Sequence, residues 1–186
     1  MGKILCIKRD LLFHHYYLNG FISDCVDFNK QIQNHWFYKE RNLVENDFSI
    51  KQIVPYIMII DQDKNQVFCY KRKGNEKRLH DKISLGFGGH VEQSDKSIQI
   101  AAIREVKEET TLENFEIKEI GFLNLDSDEV SQVHFGVVFV VFVDREKVQL
   151  NGDENKSGAW LDINKLDKVK FETWSECLKI VLSQQS

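Results

Sequence analysis

The chain has 186 residues, enough to bury one substantial core and too few for two full-sized enzymatic domains. Its 25 basic and 29 acidic residues leave a net charge of -4, a poor basis for gripping the phosphates of duplex DNA or RNA, so a compact anionic substrate would need bound metal to offset its charge. Four cysteines, Cys6, Cys25, Cys69 and Cys177, form no Cys-x-x-Cys pair; this removes a zinc knuckle or dithiol motif and points to a reducing, cytoplasmic setting.

Residues 3–13 mix apolar and charged side chains as an edge strand does, and residues 23–38 read as a helix with Ser23 or Asp24 near its start. The N-terminal apolar run is broken by Lys8, Arg9 and Asp10, and the longest apolar run, Phe135 to Val143, is about half of the roughly 20 residues a membrane helix needs. From Ile53 the pattern sharpens. VPYIMII, the turn DQDKNQ and VFCYKR make a hairpin, with Pro55 tolerated near the start of its strand.

KISLGFGGHV is then a short strand running into a glycine cluster. The following SIQIAAIREVKEETT has helical spacing at Ile100, Ile103 and Val106, with Ser94, Asp95 and Ser97 available as caps. Strands are expected at 115–125, 133–143 and 158–162, and an amphipathic helix at 172–183. Strands outnumber helices and no repeat is present, so the class is mixed α/β.

The segment Arg104-Glu105-Val106-Lys107-Glu108-Glu109 carries the chemistry. Residues i, i+3 and i+4 share a helical face, so Glu105, Glu108 and Glu109 crowd together and repel one another. Standing alone, such a helix is most often a solvated surface face. An oxygen-rich cluster is also what Mg2+ or Mn2+ takes as ligands, and Gly88-Gly89 lies upstream at a strand end, where bare backbone can approach a metal or phosphate.

GGHVEQSDKSIQIAAIREVKEETTL resembles the Nudix box, Gly-x5-Glu-x7-Arg-Glu-U-x-Glu-Glu-x-Gly-U with U apolar, over about 24 residues. The resemblance implies an α/β/α sandwich with a mixed sheet over 51–186, preceded by an extension at 1–50. It also implies hydrolysis of a diphosphate linkage in a nucleotide-like small molecule. Glu105, Glu108 and Glu109, with Gly89, would hold the metal; one of the carboxylates or a later acid would be general base, with Glu105 favoured. Gly88, Asp95 and Arg104 would be structural parts of the box.

Three departures stand out. Counting forward from Gly89, the first acidic position falls on Asp95, while counting back from Arg104 it falls on Lys96, so one residue is inserted. Asp95 is the better candidate, and in that role it should pair with Arg104. That position holds aspartate rather than glutamate, and Thr111 stands where the family has glycine.

Outside the box, Asp153 and Glu154 precede Trp160 where the family often supplies a further acid, and Glu154 is the candidate; a solvated turn is the equal alternative. In KRKGNEKRLHDK, Arg72 and Arg78 could contact a distal phosphate, although such runs are usually soluble hairpin tips. His90 reads as a hydrogen-bonding strap rather than a ligand. Phe13, Tyr16, Tyr17, Trp36, Phe37 and Tyr38 read first as core, with base stacking or a homodimer contact as alternatives. The competing functional reading is a nonhydrolytic module that senses a nucleotide or nucleotide-sugar.

Overall fold

A computed structural model describes residues 2–23, 26–71, 82–144, 148–151 and 157–183. In chain order these form β1 (Lys3–Lys8), α1 (Arg9–Leu12), β2 (Gly20–Ile22), α2 (Val26–His35), β3 (Phe37–Glu40), β4 (Ile50–Asp61) and β5 (Gln66–Lys71). There follow β6 (Ile83–Ser84), β7 (Gly86–Gly88), α3 (Ile98–Glu109), β8 (Glu116–Asn124), α4 (Glu129–Val133), β9 (His134–Phe142), β10 (Ser157–Asp162) and α5 (Thr173–Ser183). The class is α/β, as the pattern of strands and helices implied.

The hairpin and the strands expected at 115–125, 133–143 and 158–162 form within a residue or two of expectation, as does the last helix. The first 50 residues depart further. The expected edge strand at 3–13 stops at Lys8 and turns into α1, and the expected helix at 23–38 ends at His35 and gives way to β3. In the second case β pairing takes over the end of the expected helix: Phe37 to Glu40 face Cys6 to Lys3 in antiparallel register.

Two compact units emerge. The first comprises residues 1–56, 88–102 and 119–138. Its strands run β3-β1-β4-β9-β8-β2, with β1 paired to β4 through Cys6, Ile7 and Lys8 against Gln52, Lys51 and Ile50. Pro55 therefore sits in mid-strand rather than near a strand start, but beyond the ladder that Ile50–Gln52 make with β1, where no β1 acceptor awaits its missing N–H. The core centres on Phe28, with Phe122 and Phe135 at ring-centroid distances of 5.6 and 5.2 Å and Phe13 at 6.0 Å. Phe37 packs on Ile4, Cys6, Val44 and Ile50. Tyr16, Tyr17 and Trp36, in contrast, stay about half exposed, so the aromatic-rich segment is only partly core.

The second unit comprises residues 57–87, 103–118 and 139–186. Here β5 pairs with β10 along its whole length, Gln66 to Lys71 against Asp162 to Ser157, and with β4 at Val67 and Gln66. The β4–β5 turn closes through Asn65, at φ 50°, and a hydrogen bond from the Lys64 N–H to Asp61. Trp160 packs edge-on against Phe68 at 5.3 Å, and Tyr70 stacks on Phe87 at 4.7 Å. Glu172 caps α5 by accepting from the Trp174 and Ser175 N–H groups, while Glu176 accepts from the Phe171 N–H.

Candidate active site

In the first unit, the loop from Gly89 to Asp95 is stitched to β1. The Leu5 N–H donates to the Val91 carbonyl at 2.8 Å and the Gln93 N–H to the Lys3 carbonyl at 3.3 Å, with Ile4 opposite Glu92. Asp95 is buried, and its carboxylate accepts from the Glu92 N–H at 2.8 Å while its own N–H returns to the Glu92 carbonyl at 3.0 Å. Lys96, the alternative for the acidic position, is exposed. Gly88 passes so close to β4 that a Cβ there would lie 3.3 Å from the Pro55 carbonyl oxygen. Ser97 caps α3, accepting from the Ile100 N–H at 3.1 Å.

His90 follows this glycine pair and is held between Gln52 and His134. The Gln52 amide donates to the Val44 carbonyl, so its oxygen is the acceptor for His90 Nε2 at 2.8 Å. His134 Nδ1 donates to the Val130 carbonyl at 2.6 Å, and its Nε2 lies 3.4 Å from His90 Nε2. Burial, then the neighbouring His134 and Arg41, lower the His90 pKa to about 3. The ring is a neutral strap.

A second polar cluster in this unit was not legible in the sequence. Lys51 is fully buried, and its ammonium donates to Asp126 at 3.0 Å and to the carbonyls of Ser131 and His134 at 3.0 and 3.2 Å. Arg9 grips Asp126 with both guanidinium nitrogens, and the Tyr17 hydroxyl donates to it as well. Burial lowers the Lys51 pKa to about 8 against the pull of Asp126. For Asp126, burial opposes ionisation, but the bonds from Arg9, Tyr17 and Lys51 outweigh it and hold the carboxyl at about 2.

In the second unit, α3 presents Arg104, Glu105, Glu108 and Glu109. Arg104 Nη1 stands between Glu105 at 2.6 Å and Glu108 at 3.1 Å. Glu105 is buried, and burial pushes its carboxyl above the usual glutamate range against the opposing charge of Arg104. Glu108 is exposed and Glu109 half-buried. The buried residues of α3 are Ala101, Ala102, Glu105 and Val106, while Ile100 is 44% exposed, so the apolar spacing expected from Ile100 and Ile103 is not the buried stripe. Small alanines take that role, and a carboxylate shares it.

Thr111 needs no left-handed backbone: among the described non-glycine residues only Asn65 has positive φ. The end of α3 is closed differently. The Thr110 hydroxyl donates to the Val106 carbonyl at 2.7 Å, and Thr111 exchanges two hydrogen bonds with the backbone of Gln149. Asn151 donates its N–H to Glu109 and its side-chain amide to the carbonyls of Lys107 and Thr110. Glu154, Asp153, Arg72 and Arg78 lie outside the described residues.

As a donor set, the three glutamates fit a hard divalent cation: oxygen ligands, net negative, on one helix face. Among the described residues no three His, Cys, Asp or Glu side chains are already gathered as ligands, and the Arg104 guanidinium lies between Glu105 and Glu108.

The sequence profile of the NUDIX domain matches residues 51–179. Protein YmaB of Bacillus subtilis (strain 168) is 31% identical over 192 residues, covering 94% of this chain and 91% of that protein. Tm1382, described as a candidate Nudix hydrolase, has a crystal structure that matches with a TM-score of 0.85 at 27% identity, over 99% of this chain and 100% of its own. The NUDIX domain of Shewanella oneidensis NrtR, solved with ADP ribose, shares the fold at a TM-score of 0.57 and 11% identity, over 73% of this chain and 86% of that one. The likeness to YmaB and Tm1382 thus takes in residues ahead of the NUDIX match.

Proposed function

Because this chain belongs to the Nudix superfamily, we propose that it is a divalent-metal-dependent hydrolase that cleaves a diphosphate linkage in a nucleoside-diphosphate-linked small molecule. The observation that carries this reading is the crowding of Glu105, Glu108 and Glu109 onto the last turns of α3, with Glu105 buried. Carboxylates there repel one another and also face the negative end of the helix dipole, an arrangement that structure alone disfavours. Such a local conflict is expected where function is served.

Glu105, Glu108 and Glu109 would hold Mg2+ or Mn2+. A bound divalent cation supplies charge neutralisation at the diphosphate oxygens and activation of water near neutral pH. If one of the three serves as general base instead of ligand, Glu105, buried on the same helix face, takes that role and accepts a proton from attacking water. Arg104 holds Glu105 and Glu108 in place until a cation is bound. The net charge of -4 favours a small substrate over nucleic acid. The free thiols Cys6, Cys69 and Cys177 suit a cytoplasmic setting, and among the described residues no helix is long and apolar enough to cross a membrane.

The bound ADP ribose of the NrtR domain supports a nucleoside diphosphate as the ligand class, and also supports a competing reading as a nonhydrolytic sensor. The retained carboxylates favour hydrolysis, because a module that only binds has no use for three mutually repelling side chains.

The test is a phosphate-release screen with Mg2+ or Mn2+ against nucleoside triphosphates, ADP-ribose, dinucleoside polyphosphates and nucleotide sugars. Turnover of one class should disappear with chelator and fall by about 10²–10³-fold in Glu108→Gln. Tight ligand binding without turnover would establish the sensor instead.

A further inference from the structure

The C-terminal carbonyls of a helix have no partners inside the helix, and they carry partial negative charge. At the end of α3 that charge accumulates beside Glu108 and Glu109, where the family pattern would place a glycine to turn the chain. Here Thr111 occupies the position without a left-handed backbone. A residue 41 to 44 positions on from the carbonyls its side chain reaches supplies the closure.

We propose that Asn151 is a positioning residue for the metal-binding carboxylates of α3, taking over the closing role that the family's glycine performs. Its three donors reach three carbonyls, those of Lys107, Glu109 and Thr110, with the backbone N–H at 2.9 Å from Glu109 and the side-chain amide at 3.0 Å from Lys107. The strand-like bridge between Thr110 and Leu150, and the paired bonds between Thr111 and Gln149, bring the Asn151 segment alongside that helix end.

The consequence is geometric and electrostatic. Donors on these carbonyls stop the last turn from fraying, which fixes Glu108 and Glu109 relative to Glu105. They also offset the negative end of the helix, so the carboxylates pay less repulsion when a cation is absent. Arg104 offsets the same charge from the side-chain face, through Glu105 and Glu108. The helix end is thus prepared from both its backbone and its side chains.

This inference rests on the metal reading, and the experiment separates the two. Mn2+ binding to the full chain is measured by electron paramagnetic resonance for the parent, Glu108→Gln and Asn151→Ala, alongside thermal melting and, for the substrate class that is turned over, kcat and KM. Asn151 is exposed, so truncation leaves no cavity and the variant should fold; Asn151→Ser, which leaves at most one side-chain donor, is the alternative if it does not.

A positioning role predicts that Asn151→Ala weakens Mn2+ binding about tenfold and lowers kcat with KM little changed, while the melting temperature drops by only a few degrees. Unchanged Mn2+ affinity with a lowered melting temperature would overturn it, leaving Asn151 a stabilising cap alone. If the parent binds Mn2+ no better than Glu108→Gln, the metal reading itself fails, and the positioning role with it.

Discussion

The two units treat charge in opposite ways. In the first, a fully buried lysine meets a carboxylate that also accepts from Arg9 and Tyr17, and every donor of Lys51 has an acceptor. In the second, three carboxylates share one helix end with a single arginine between two of them. The Lys51–Asp126 cluster is solved electrostatics, and it ties α1, β4, α4 and the start of β9 together. The α3 carboxylates crowd like charge onto one helix end, and that crowding is what the proposed metal site would use.

The contrast breaks if charge removal has the same effect in both places. The largest effect is expected at Asp126: Asp126→Ala leaves Lys51 buried without its counter-ion and should cost about 3–5 kcal/mol of unfolding free energy in urea titration, with kcat per folded molecule unchanged. A cost below about 1 kcal/mol would show that the cluster is not structural.

The pH profile sharpens the same point. Asp126 titrates at about 2 in the folded chain against 3.8 ordinarily, so its stabilisation is fully present above 3.8 and is lost as pH falls towards 2. Lys51 titrates at about 8 against 10.5, so its burial costs stability below 8 and that cost is relieved as pH rises from 8 to 10.5. Unfolding measured across pH should therefore show Asp126→Asn converging on the parent as pH falls from 4 to 2, within the window set by these values. A constant gap would count against the assignment.

The smallest stability effect is expected at α3. Glu108→Gln loses an exposed ion pair with Arg104 but also relieves repulsion from its neighbours, so unfolding free energy should change by less than about 1 kcal/mol. A loss as large as that at Asp126 would make these glutamates structural.

The helix face was legible because its register is local: Arg104, Glu105, Glu108 and Glu109 fall together on any α-helix, whatever packs around it. The hairpin of β4 and β5 was legible for the same reason, from alternation and a short polar turn. Asp95 could be singled out by counting along the box, and the structure buries it while leaving Lys96 exposed. The buried stripe of α3 could not be read the same way, since Ile100 carries the stronger apolar signal yet faces outward.

What the amino-acid sequence determined by itself were the features set by neighbours within a few residues: the glutamate ladder, a helix start with Ser94, Asp95 or Ser97 as cap, the β hairpin and the family box. Only the tertiary structure decided the partners separated by long stretches of chain. Lys51 meets Asp126 across 75 positions, and the Asn151 side chain meets the Lys107 carbonyl across 44. A hydrogen bond of that span depends on loop closure and strand pairing rather than on local propensity, and no periodicity in the sequence records which distant carbonyl a side-chain donor will reach.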